Sequence, residues 1–194
     1  MRRILTTAIA LGCLGAATVC PATAADPSIE PRFELFSRGP GGTTVMITKS
    51  NLETIKLEKP VVISETLTIT HAGVGYFEKD GRTGPLLFRP SEEVPYKVGQ
   101  GFGWVLKVDT TENEVEVVEK FTLPKKNGTW TVDPETTKIS DDGLTSTTTE
   151  THTFWDFLWR MWTLEDGDPE GAHGFSLSVA GKAVAELRFT IVKK

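Results

Sequence analysis

Cysteine is nearly absent from this chain. Two occur in 194 residues, Cys13 and Cys20, both close to the amino terminus. Beyond residue 20 there is therefore no thiol for a disulfide, a thiolate metal site or a cysteine nucleophile. Histidine is scarce as well: His71, His152 and His173 lie 81 and 21 residues apart, without the close pairing that marks most zinc sites. A basic surplus is missing, since 21 Lys and Arg stand against 26 Asp and Glu for a net charge of −5. That balance argues against nucleic acid as a partner. The sequence carries no nucleophile elbow, no Ser-x-x-Lys and no H-E-x-x-H, although a triad assembled only by the fold would leave no such trace. With 39% hydrophobic and 24% charged residues, the chain is neither a disordered tail nor a multi-span membrane protein.

Long apolar runs are limited to one. Ile4 to Val19 is uncharged over 16 residues and follows Arg2 and Arg3. A retained anchor would need roughly 20 residues to cross a bilayer, and no basic stop-transfer cluster follows. Ala22-Thr23-Ala24 supplies the small-x-small site of a signal peptidase. Residues 1–24 are thus expected to be a cleaved signal peptide, with no membrane span left after cleavage and a periplasmic or secreted location reached by bacterial export. A lipoprotein reading fits poorly, because Cys20 follows Val19 and Cys13 has Ala10 three places before it. Cleavage removes two basic residues and no acid, leaving 170 residues with 19 bases against 26 acids, a charge of −7. Such a chain enters an oxidising compartment without a disulfide, so a packed core has to hold it together, and its length is sufficient to bury one.

What the remainder does have is alternation. Phe175, Leu177 and Val179 share one face, Ala180-Gly181-Lys182 makes a turn, and Ala183, Ala185, Leu187, Phe189 and Ile191 alternate with Val184, Glu186, Arg188, Thr190 and Val192. This predicts a C-terminal hairpin with one buried face. Leu67 and Ile69, with His71 continuing their parity, predict a second strand, and Trp104, Leu106 and Val108 a third. Val115, Val117, Phe121 and Leu123 share a face that Glu119 interrupts, which suggests a bulge at Val118. Thr145 to Thr153 is rich in a strand-forming residue. Asp80-Gly81, Asn127-Gly128, Asp142-Gly143 and Asp166-Gly167 supply turns between the runs. Short strands at this spacing, with no long helical stripe and no internal repeat, point to a sandwich or barrel. Before Lys59 the signal is weaker: Phe33, Leu35 and Val45 to Ile47 read as edge strands around Gly39-Pro40-Gly41-Gly42, and Asn51 to Leu57 as a helical turn.

Val94-Pro95-Tyr96-Lys97-Val98-Gly99-Gln100-Gly101-Phe102-Gly103 fits V-P-x-x-x-G-x-x-F-G and leads into a strand. It resembles the hallmark of an often exported bacterial family known only as a domain of unknown function, whose members are immunoglobulin-like sandwiches. That family's C-terminal part reads P-G-x-W-x-F. Here Gly171-Ala172-His173-Gly174-Phe175 is similar, with His173 where the family has Trp and Glu170 where it has Pro. The resemblance spans about Thr66 to Val192. It implies a fold and no activity. The expected fold class is all-β, an immunoglobulin-like antiparallel β-sandwich at residues 61–194, with an N-terminal extension at 25–60 behind the 1–24 leader.

Four local features compete for a chemical role. Gly99-Gln100-Gly101-Phe102-Gly103 hints at a phosphate loop, but a strand follows it where phosphate cradling needs a helix, so a tight bend is expected. Asp166-Gly167-Asp168-Pro169-Glu170-Gly171 opens like a calcium loop, yet Leu177 stands where the closing Glu belongs and Pro169 is foreign to such loops. No metal and no cofactor are therefore expected. The three histidines read as ordinary structural residues, and no catalytic residue is assigned. Phe154-Trp155-Asp156-Phe157-Leu158-Trp159-Arg160-Met161-Trp162 holds three of the five tryptophans. As a helix it would align Trp155, Trp159 and Trp162; as a strand, which the Thr-rich run before it favours, it is apolar on both faces. The uncharged face with Trp155, Phe157, Trp159 and Met161 is expected in the core. The face with Asp156, Arg160 and Trp162 is expected to be wetter, which makes Trp162 and Arg160 the candidate ligand-binding residues. The function expected is a non-enzymatic binding or interaction module of the cell envelope, its partner an envelope protein or glycan. The alternatives are a carbohydrate or small-ligand binder using Trp155 to Trp162, and a hydrolase with scattered catalytic residues.

Overall fold

Period-two alternation becomes strand along most of the chain. The computed structural model describes residues 34–38 (backbone only), 43–79, 84–126, 130–153 and 157–193. The leader, Phe33, the 39–42 glycines, the Asp80-Gly81 and Asn127-Gly128 turns, and Phe154, Trp155 and Asp156 lie outside the described residues. In chain order the elements are β1 (Glu34–Arg38), β2 (Thr44–Thr48), α1 (Lys49–Thr54), β3 (Lys56–Val62), β4 (Leu67–Lys79), β5 (Leu86–Pro90), β6 (Glu93–Pro95) and β7 (Gly101–Thr110). They continue with β8 (Glu114–Thr122), β9 (Thr137–Ile139), β10 (Thr145–Thr153), β11 (Phe157–Thr163), β12 (Gly171–Val179) and β13 (Lys182–Val192).

These strands form two sheets, and the chain is the all-β sandwich that the alternation predicts. One sheet has the order β1-β2-β5-β4-β7-β11 with β3 alongside β4; the other runs β6-β13-β12-β8-β10-β9. Pairing is antiparallel except for β2 with β5 and β6 with β13. Between the sheets lies the larger apolar core, to which β4 and β7 contribute Leu67, Ile69, Trp104 and Leu106, and β8, β12 and β13 contribute Val117, Phe121, Phe175, Phe189 and Ile191. A second core covers the outer face of the first sheet. There Val45 and Ile47 of β2, with Leu52 and Ile55 in and after α1, pack on Phe77, Phe88, Val105 and Phe157. The helical turn is Lys49–Thr54, capped by the Thr48 hydroxyl, which accepts from the Asn51 N–H at 3.2 Å. Residues 43–62 thus enter the fold as two strands and a short helix of the first sheet.

Several local expectations change sign in the fold. β8 pairs with β10 and β12 without a register shift, so no bulge occurs at Val118 and Glu119 points inward with Val117 and Phe121. A shift between Ile69 and His71 instead places His71 opposite Lys107, on the outer face with Val105. Another in the C-terminal hairpin leaves Ala183 exposed and buries Val184. On β11 both faces are covered, so the face with Arg160 and Trp162 is not the wet one. Leu158 and Trp162 look into the inter-sheet core, while Phe157, Trp159 and Met161 face the second core under β2 and α1. The charged face turns inward because the opposite sheet provides carboxylates for Arg160.

Candidate functional site

The register of two strand pairs sets the site. In the first sheet Trp104 stands opposite Arg160, and Phe102 opposite Trp162. In the second, Glu119 stands opposite Thr148, Val117 opposite Glu150, and Val115 opposite His152. The two grids face each other, and a polar knot forms inside the sandwich. Glu119, only 2% exposed, is its centre. Its carboxylate accepts a short hydrogen bond from Trp104 Nε1 and a second from Trp162 Nε1 at 3.0 Å. Arg160 Nε lies 3.5 Å from Glu119 Oε1, and Arg160 Nη1 is 2.7 Å from Glu150 Oε1. The guanidinium also sits over Trp162, 5.3 Å from the ring centroid. His152 Nε2 approaches Glu150 Oε2 at 3.7 Å, and its ring lies 6.2 Å from that of Trp104.

Burial dominates the protonation of these groups. It pushes the Glu119 carboxyl above the ordinary carboxylate value, against the pull of Arg160 and the two indole donors. His152 is held below the usual imidazole value by burial first, with Glu150 opposing and Arg160 reinforcing that shift. A charged carboxylate this deep is tolerated only when its lone pairs are engaged, and here two indoles and a guanidinium engage them.

Beside the knot lies a cavity of about 380 Å³. Its walls include Phe102, Phe121, Trp130, Arg160, Trp162, Glu150 and His173, together with Thr131 to Asp133 and with Leu164, Glu165, Asp168 and Pro169. Trp130 is fixed by its N–H donating to the Gly143 carbonyl at 3.1 Å, and it meets Trp162 edge-on with ring centroids 6.0 Å apart. His173, which stands at the Trp position of the resembled motif, takes an aromatic's place. It stacks on Phe121 and Phe189 at 5.8 and 5.3 Å, and its Nδ1 is 2.8 Å from the Gly171 carbonyl. Burial lowers its pKa, opposed by the Gly171 bond and by Asp168.

Trp162 and Arg160, the two residues singled out from the sequence, both line this cavity. Glu119, Glu150 and Trp130 carry no sequence signal of a site, and His173, read from the sequence as a structural residue, joins them in or beside this cavity. The only sequence trace of Glu119 is that it interrupts an apolar face. Its inward direction is fixed by pairing on both sides of β8, which no local pattern reveals. The other candidates serve structure. Gly99, at φ +85, turns the chain into β7, and a Cβ at Gly103 would stand 2.0 Å from the Arg160 carbonyl oxygen, so glycine lets β11 approach. The acids of the Asp166 turn diverge: Asp168 Oδ2 accepts from the Glu165 N–H at 2.7 Å, while Glu170 pairs with Lys193 at 2.9 Å. No helix among the described residues is long and apolar enough to cross a membrane.

The family comparison agrees with the architecture. Residues 72–192 match the model of the PM0630 beta sandwich domain, and the chain belongs to that family. The match begins within β4, so β1 to β3 and α1 lie before it. No curated protein matches the chain. Among solved structures, an immunoglobulin-like protein from Pseudomonas aeruginosa is similar at 13% identity, over 68% of this chain and 100% of that one, with a TM-score of 0.44. An alkylpurine DNA glycosylase from Pseudomonas fluorescens, bound to DNA with an abasic-site analogue, is similar at 8% identity over 62% of this chain and 30% of its own, with a TM-score of 0.28.

Proposed function

We propose that this member of the PM0630 beta sandwich domain family is an exported, non-enzymatic binding module whose ligand is a small molecule held in the cavity lined by Trp130 and Trp162. The observation that carries the reading is the cavity itself. About 380 Å³ falls in the range of small-molecule sites, and its walls combine aromatic rings with polar and charged side chains. Binding is favoured over hydrolysis because the most deeply buried acid is already engaged: Glu119 accepts from two indoles and faces Arg160. Its lone pairs are directed into the wall, so it has no free position from which to take a substrate proton. Trp162, Arg160, Trp130, Phe121 and His173 form the site.

Export rests on Arg2, Arg3, the apolar run to Val19 and Ala22-Thr23-Ala24. Intact mass of the protein recovered from the periplasm is expected to correspond to a start at Ala25, without a lipid; a retained leader would remove the export reading. Binding is tested by native mass spectrometry of the same material. The expected result is a bound species of roughly 100–500 Da that is missing from a folded Trp130→Ala variant. A chain that emerges empty, and whose melting responds to no small-molecule fraction of a cell extract, would overturn the reading.

A further inference from the structure

The charges around the cavity narrow the ligand class. Four carboxylates line it, from Asp133, Glu150, Glu165 and Asp168, against the single guanidinium of Arg160. That guanidinium is already neutralised within the wall, at 2.7 Å from Glu150 and 3.5 Å from the buried Glu119. Asp133 and Glu165 form no ion pair among the described residues, and both are exposed at the mouth. Their field at the opening is therefore negative and falls on an aromatic enclosure. Trp162 already holds one cation on its face, where the Arg160 guanidinium sits 5.3 Å from the ring centroid. An indole pair with carboxylates at the entrance suits a positive charge on an organic body. An anion would meet the carboxylates of Asp133 and Glu165 with Arg160 occupied, and a neutral sugar would gain nothing from the charges. We infer that the cavity selects an organic cation, an ammonium compound whose apolar part packs against the aromatic wall that Trp130 and Trp162 form together. The inference rests on the cavity being the ligand site.

The test follows the indole N–H signals of Trp130 and Trp162 by nuclear magnetic resonance while four probes are titrated into the full mature chain. The probes are choline, its neutral carbon isostere 3,3-dimethylbutan-1-ol, the anion 3,3-dimethylbutanoate, and methyl β-glucoside. Choline is expected to shift both signals saturably and to bind at least about twofold tighter than the neutral isostere, the lower margin of an exposed cation–π contact. Raising sodium chloride from about 20 to about 300 mM should weaken choline and leave the alcohol unchanged. The double variant D133N/E165Q keeps the turn acceptor at 133, removes two charges from the mouth, and should weaken choline by about threefold or more. Equal or tighter binding of the alcohol, the carboxylate or the glucoside at the same two indoles would overturn the cation inference and leave the cavity as a binding site. Silence of both signals toward choline in protein freed of its native small molecule, with that molecule binding again when returned, would also overturn it alone.

Discussion

Glu119 concentrates the energetic risk of the molecule in one side chain. Two indole N–H groups and a guanidinium converge on a carboxylate that is 2% exposed. Removing it leaves the donor of the fully buried Trp104 without an acceptor and Arg160 with only Glu150. Breaking a buried charge pair costs about 3–5 kcal/mol, and Glu119→Ala should lose that much in denaturant unfolding. Its titration has a sign that can be checked. Burial raises the folded carboxyl above its ordinary value of 4.5, so the unfolded chain gives up the proton first. The stability it contributes is full below pH 4.5 and declines as pH rises through the folded value. His152 and His173 act in the opposite sense. Burial lowers both from 6.5, so their contribution is full above pH 6.5 and falls as pH drops through their folded values. Glu119→Gln should therefore lose the decline above pH 4.5, whatever it costs at a single pH. His173→Phe keeps the stack on Phe121 and Phe189 and should flatten part of the loss below pH 6.5. Profiles of urea midpoint against pH decide both cases, and a Glu119→Gln profile parallel to the parent's would contradict the burial argument.

At the scale of the element, β11 shows how far alternation can be read and where it stops. The strand itself is legible, as is its division into two faces. Which face turns inward is not, because that depends on what the opposite sheet offers. Arg160 marks its face as wet only as long as Glu119 and Glu150 are unknown, and they lie on β8 and β10, 41 and 10 residues earlier. Both faces end up covered, one by the inter-sheet core and one by the cluster under β2 and α1. Trp159 meets Phe77 at 6.0 Å, and Trp162 meets Phe121 at 5.3 Å. Both Trp→Ala changes should then cost more than about 2 kcal/mol. Trp162→Phe isolates the polar part: it keeps an aromatic ring and removes the donor to Glu119, for about 1–3 kcal/mol. Equal stability of Trp162→Phe and the parent would mean the indole bond contributes nothing. The approach of β11 to β7 adds a separate constraint. A methyl at Gly103 would meet the backbone carbonyl of Arg160, which no rotamer change relieves, so Gly103→Ala should cost about 2 kcal/mol or more in the same assay.

The whole molecule depends on parts that its sequence pattern ranks unequally. The sandwich was legible because strands with one buried face write the hydrophobic period into the chain. The cavity was not, because its walls come from residues as far apart as Phe102, Trp130, Glu150 and Ile191, and no periodicity links them. The amino-terminal segment was the least legible, since β2 and β3 are short and α1 spans six residues. Yet it covers the outer face of the first sheet. The family match begins at residue 72, after this cover. Without it Phe88, Val105 and Phe157, all fully buried, would face water together with Phe77. Four large apolar side chains on one sheet face form the kind of continuous patch that soluble monomers avoid. A chain starting at Ile63 is therefore expected to bind a hydrophobic dye, to associate, and to lose the cooperative transition that a chain spanning residues 32–194 keeps. Val45→Ser, which leaves the length intact and places a hydroxyl against that face, should weaken the same cover by about 2 kcal/mol. If the shortened chain melts cooperatively at the parent's temperature and binds no dye, the β2 and α1 cover contributes no stability and the second core is incidental.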